Sequence, residues 1–150
     1  MAASPFDIKT VLLAKHAQHV VVIHFPIALC IAGVVFDVLG RSFKKQALLA
    51  AAYYNLMGAA LFTLPAVITG ILAWRWALEG QQLAGLLLLH LLAGSLSSAL
   101  LWAVAILHFR SRRKREATPG NYSLVLEGCV VVMVIVTAHL GGFLSGANGS

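Results

Sequence analysis

Residues 20–39 read VVVIHFPIALCIAGVVFDVL, twenty positions interrupted by one histidine, His24, and one acidic residue, Asp37. At about 1.5 Å of rise per residue, a helix of that length covers about 30 Å, the thickness of a bilayer's hydrocarbon core. The stretch therefore reads as a membrane span, and it has to be helical, because an open strand would leave backbone amides unsatisfied in lipid. Similar apolar runs follow at 53–74, 83–107 and 122–144. The alternating pattern of a transmembrane barrel is missing.

Composition agrees. Hydrophobic residues make up 60% of the 150 positions and charged residues 11%, against about 25% charged in a typical soluble domain. Four spans leave little beyond loops and tails, so no separate soluble catalytic domain is expected. The net charge of +6 is better explained by the asymmetry that orients membrane segments than by nucleic acid, and no nucleic-acid partner is expected. The sequence predicts an all-α polytopic membrane protein, a four-helix up-down-up-down bundle over residues 20–150. Segment 1–19 is expected on the outer surface. There Ser4, Pro5 and Asp7 read as the start of an interfacial helix carrying Ile8, Val11 and Leu12 on one face. The segment lacks the basic start and small-residue cleavage site of a removable signal, so the first span is expected to be retained. Residues 145–150 are expected to fray.

Tyr53, Tyr54, Trp74, Trp76 and Tyr122 lie where aromatic rings anchor helices at the interface. The connection after the first span holds Arg41, Lys44 and Lys45, and that after the third holds Arg110, Arg112, Arg113, Lys114 and Arg115. The opposite side has Lys9, Lys15 and Arg75. Positive charge is retained in the cytoplasm, so both basic connections are expected there, with both termini outside, in a bacterial inner membrane.

Histidines carry the functional signal. His24, His90 and His139 sit about 6, 10 and 7 Å below the outer surface by residue count. Three imidazoles from separate spans then share one layer, with His19 and His16 just above it and His108 at the opposite end. Ionisable side chains in a membrane usually face the bundle interior, a cofactor or a water path. Zinc or copper would want a tighter ligand set, since Cys30 and Cys129 lie about 9 and 15 Å deeper along their helices than His24 and His139. A b-type haem asks only for two opposed imidazoles and a flat apolar slot. No Cys-x-x-Cys-His motif is present for covalent attachment. Gly94, Ser97 and Leu101 follow His90 at helical spacing, and Ala59, Thr63, Ala66, Gly70 and Ala73 form a small-residue stripe on the second span. Either set suits a slot or close helix packing, and Pro65 is expected to bend the second helix. Arg75 has the geometry to meet a haem propionate, or to snorkel at its helix end. A second polar layer, Asp37, Asn55, His108 and Glu127, is expected mainly to pair with the basic loops. No catalytic triad or phosphate loop emerges.

The run His19 to Leu29, with its His-Phe-Pro-Ile-Ala-Leu at positions 24–29, followed by Phe36-Asp37-Val38-Leu39, resembles the opening of the bacterial four-helix membrane family catalogued as domain of unknown function 2231. Thr69-Gly70, His90 and Gly141-Gly142 look similar to later pieces of that family. Val20 stands where the family has Pro, and Ala73-Trp74-Arg75-Trp76 replaces its acidic residue. His139 precedes the double Gly in place of a Tyr-x-His-Gly ending. The resemblance implies a redox role and carries His24 and His90 over as ligand candidates, not His139.

The expectation is a b-type cytochrome subunit, not an enzyme by itself. Haem would be held by His24 and His90, with His139 or His19 as alternative ligands. It would pass electrons between other membrane subunits and a periplasmic cytochrome, as a homo- or hetero-oligomer. The alternatives are a cofactor-free assembly subunit of a respiratory or photosynthetic complex, and an outer-leaflet copper or zinc site.

Overall fold

The structure, a computed structural model, describes residues 15–76 and 78–145, with side chains from residue 18 onward. The interfacial helix expected within 1–19 falls outside these residues up to position 14, as does the tail at 146–150. Four helices make up the described chain: α1 (Lys15–Ser42), α2 (Gln46–Trp76), α3 (Gly85–Arg113) and α4 (Tyr122–Leu144). All four are long and apolar enough to cross a membrane, and no strand occurs among the described residues. The protein is a four-helix membrane bundle.

The first three helices run beyond their apolar stretches at the basic end of the bundle. Hydropathy marks where hydrocarbon ends, whereas a helix continues until its carbonyls are capped, and cations in the last turn complement the negative end of its dipole. Arg41 ends α1 in this way, and Arg110, Arg112 and Arg113 end α3. Both then close with the same device. Lys44 and Arg115 adopt left-handed backbone, at φ 53° and 59°. The following amides of Lys45 and Glu116 bond back to the carbonyls of Gly40 and Ser111, at 2.9 and 3.0 Å, which is a Schellman closure. At the other end the Trp74 indole donates to the Gln81 carbonyl (2.9 Å) and ties down the α2–α3 turn.

The helices form a ring in chain order. The α1–α2 and α3–α4 interfaces are the most extensive, with lighter α2–α3 and α1–α4 contacts. Lipid supplies no hydrophobic drive between helices, so close approach and hydrogen bonds hold them together. Glycine allows that approach on α1. A Cβ on Gly33 would stand 2.8 Å from Leu56 Cγ, and one on Gly40 would stand 3.0 Å from the Leu49 backbone nitrogen. The small-residue stripe of α2 is spent in this packing: Ala59, Thr63, Ala66 and Ala73 are buried. Pro65 lies within α2, and the Thr69 hydroxyl caps its carbonyl at 2.8 Å. Between α2 and α3, the Trp102 indole donates to the Thr63 hydroxyl at 3.1 Å. The central core joins Cys30, Leu56, Ala59, Leu101, Val104, Val130 and Val134.

Two inward faces position everything polar. On α1 the buried residues Pro26, Cys30, Gly33, Asp37 and Gly40 recur at intervals of four, three, four and three, the seam of a packed helix. On α4 the buried residues Ser123, Glu127, Val130 and Val134 do the same. Cys30 is buried, Cys129 is exposed, and both are free thiols.

Candidate functional site

One polar layer lies at the histidine end. His19 belongs to the inward seam of α1, seven residues before Pro26, and His90 belongs to that of α3, seven before the buried Ser97. Their rings meet edge to face, with centroids 6.5 Å apart at 83°. Each is held by a neighbouring helix. The His19 Nδ1 lies 3.1 Å from the Thr69 hydroxyl of α2, whose own proton is directed to the carbonyls of Pro65 and Ala66. The hydroxyl therefore accepts and His19 donates. The His90 Nδ1 donates to the Thr137 carbonyl of α4 at 3.1 Å. Nδ1 of each ring is thus engaged by a neighbouring helix, the kind of bond that orients metal-ligating histidines. Glycines make room for them: a Cβ on Gly70 or Gly141 would come within 3.1 Å of a ring carbon of His19 or His90, respectively.

The other expected residues do not join this pair. His24 is exposed, and its Nδ1 donates at 2.6 Å to the Val20 carbonyl of its own helix. His139 is exposed and packs edge-on against Phe143, at 4.9 Å. The cause is helical phase. Each stands two residues from a seam position, Pro26 or Thr137, and so is turned about 200° away from the core. Equal depth put these imidazoles in one layer, but not on one face. A Cβ on Gly94 would make ordinary 3.6 Å contact with the Thr137 methyl. Arg75 is exposed, and a Cβ on Gly80 in the α2–α3 turn would lie 3.5 Å from its Nη1.

The second polar layer is more deeply enclosed than the loops' charge suggested. Asp37, His108 and Glu127 each stand five residues inside the basic end of α1, α3 and α4, about 7.5 Å along the axis. The two carboxylate residues have no exposure and His108 has 5%. Glu127 Oε1 accepts from His108 Nε2 at 2.9 Å. Asp37 Oδ2 accepts from Arg41 Nε. Arg41 also donates to the Pro119 carbonyl at 3.0 Å and to the Ser123 hydroxyl at 2.8 Å, and so clamps α1, the α3–α4 connection and α4. The remaining oxygens, Asp37 Oδ1 and Glu127 Oε2, are buried without a partner. Pairing with loop cations holds for Asp37 but not for Glu127, whose partner is an imidazole on α3. Asn55 bonds the Ala51 carbonyl of its own helix at 2.8 Å. Beside the cluster, a polar cleft of about 440 Å³ is lined by His108, Tyr53, Gln46, Arg112, Glu116 and Pro119 with their neighbours. The signal for this cluster was present in the sequence, since Asp37 and Glu127 both fall on inward seams.

Among known proteins, a family model described as a predicted membrane protein, DUF2231, matches residues 15–149. No curated protein and no solved structure matches the chain.

Proposed function

Because the chain belongs to the DUF2231 family of predicted membrane proteins, whose match covers the whole bundle, we propose that it is an electron-transfer subunit of a bacterial inner membrane. Both termini would face outward and the basic connections the cytoplasm. The group it would hold is a b-type haem at the histidine end, with His19 and His90, in place of His24 and His90, as the residues that would hold it.

The observation that carries this reading is the meeting of two imidazoles from the diagonal helices α1 and α3, each oriented through Nδ1 by a neighbouring helix. The centroids lie 6.5 Å apart at 83°, near enough to share one metal once a ring turns out of its edge-to-face contact so that both Nε2 atoms face the same point. A haem supplies reversible one-electron transfer when bound. The contribution of the chain is to fix the two rings and to surround them with apolar helices. Partners would be other membrane subunits and a periplasmic cytochrome.

A cofactor-free assembly subunit is the second reading. It is favoured by the fact that the two rings already satisfy each other edge to face and bond to Thr69 and Thr137. A copper or zinc ion on the same pair is the third. Purification in mild detergent, followed by a reduced-minus-oxidised spectrum and metal analysis, separates them. The haem reading expects an absorption band that sharpens on dithionite reduction, with about one iron per chain. A protein without that band contradicts it, and copper or zinc that is present in wild type but lost in His19→Ala/His90→Ala selects the third reading.

A further inference from the structure

We propose that Asp37, His108 and Glu127 form a binding site for a divalent first-row transition cation at the basic end of the bundle, separate from the histidine pair at the other end. Three independent observations converge on it. One ligand atom from each residue lies within 4.8 Å of the others, and all three residues are buried. Each carboxylate engages one oxygen, with Arg41 or with His108, and leaves the other buried without a donor. The charges are also uneven, because among the described residues the ion pairs of these two carboxylates include one permanent cation, Arg41.

Buried acceptors need a donor, and buried charge needs a counter-charge. A trapped water would meet the first need but not the second. A cation meets both by displacing to solvent the proton that His108 Nε2 directs at Glu127 Oε1, and the donor chemistry selects its class: two hard carboxylate oxygens with one imidazole nitrogen suit zinc, manganese or ferrous iron better than a soft monovalent copper ion. The dimensions allow it. Three atoms no more than 4.8 Å apart have a common centre about 2.8 Å from each, so shifts of about 0.7 Å bring all three to the bond lengths of about 2.0–2.2 Å that zinc takes with oxygen and nitrogen. The polar cleft that reaches His108 gives the ion a route from the basic face without crossing the apolar core. Arg41 opposes a cation electrostatically while it holds Asp37 in place. The site is therefore expected to bind less tightly than a closed structural zinc site.

The test uses the full chain, purified in detergent, stripped with chelator and titrated with Zn²⁺ and with Co²⁺ as a spectroscopic stand-in. Wild type is expected to take up one ion per chain, and its Co²⁺ form to show the visible bands of a low-coordinate oxygen and nitrogen site. Asp37→Asn and Glu127→Gln are each expected to weaken binding at least about tenfold. Glu79→Gln, on the α2–α3 turn away from the cluster, should leave it unchanged. The double variant His19→Ala/His90→Ala should retain this ion, so a failure of the haem reading would not imitate a failure here. The proposal is overturned if wild type binds no stoichiometric ion, which also covers variants that fail to fold. It is overturned equally if binding persists undiminished in folded Asp37→Asn and Glu127→Gln, or disappears with the histidine pair.

Discussion

The imidazole of His108 is the nearest donor to a glutamate with no access to water. Removing it leaves that carboxylate with both oxygens unpaired in a low-dielectric layer. Breaking a buried pair by deleting one partner costs about 3–5 kcal/mol. His108→Ala is therefore expected to lower stability by about that much in reversible detergent-denaturant unfolding. His139→Ala, which deletes an exposed ring, should stay within about 0.5 kcal/mol of wild type. At this scale the sequence was only partly legible. Residue counting gave the depth of every histidine, which depends on rise alone. Which of them faces inward depends on the phase of each helix against its neighbours. His19, five residues earlier than His24, lies about 140° round the helix from it, and that rotation separates a packed ring from an exposed one.

Among the elements, α1 and α2 form the closest pair, and their approach rests on two glycines seven residues apart. Gly40→Ala would put a methyl group 2.5 Å from Leu49 Cδ2 and 3.0 Å from its backbone nitrogen. The backbone contact cannot be relieved by a rotamer change, so the helices must separate. Overpacking of this kind costs about 1–3 kcal/mol. Gly128→Ala on α4 would meet nothing within 4 Å and is expected to be neutral within about 0.5 kcal/mol. The same unfolding assay compares the two. All four spans were readable from hydropathy, because lipid imposes a length and excludes other backbones. Their inward faces were harder to read, because apolar residues line both the core and the lipid-facing surfaces. In such helices the inward face is marked by small and polar residues. Gly33, Asp37 and Gly40 on α1, and Ser123 and Glu127 on α4, carry that mark. The small residues of α2, taken as a slot or a packing stripe, turn out to pack.

Across the whole molecule, two polar layers occupy opposite ends of one bundle, with an apolar core of Cys30, Leu56, Leu101, Val104 and Val130 between them. Along α1, the eighteen residues from His19 to Asp37 correspond to about 27 Å. The two ends would therefore meet different compartments, and the proposed topology, which rests on the excess of Lys and Arg, would put the Asp37 end in the cytoplasm. Single cysteines placed at Lys44 or Glu116 in a Cys30→Ala/Cys129→Ala background should resist an impermeant thiol reagent in intact cells and react in inverted vesicles. A cysteine at Gln81 should do the reverse, and the opposite pattern would invert the proposed topology.

The central claim is that the rings of His19 and His90, not those of His24 and His139, hold a redox group. Its most direct measurement is the reduced-minus-oxidised spectrum of wild type recorded beside His19→Ala, His90→Ala, His24→Ala and His139→Ala at equal protein concentration. The account predicts a haem band in wild type that is lost or strongly altered in the first two variants and unchanged in the last two. A band that survives both His19→Ala and His90→Ala, or no band in wild type, would contradict it.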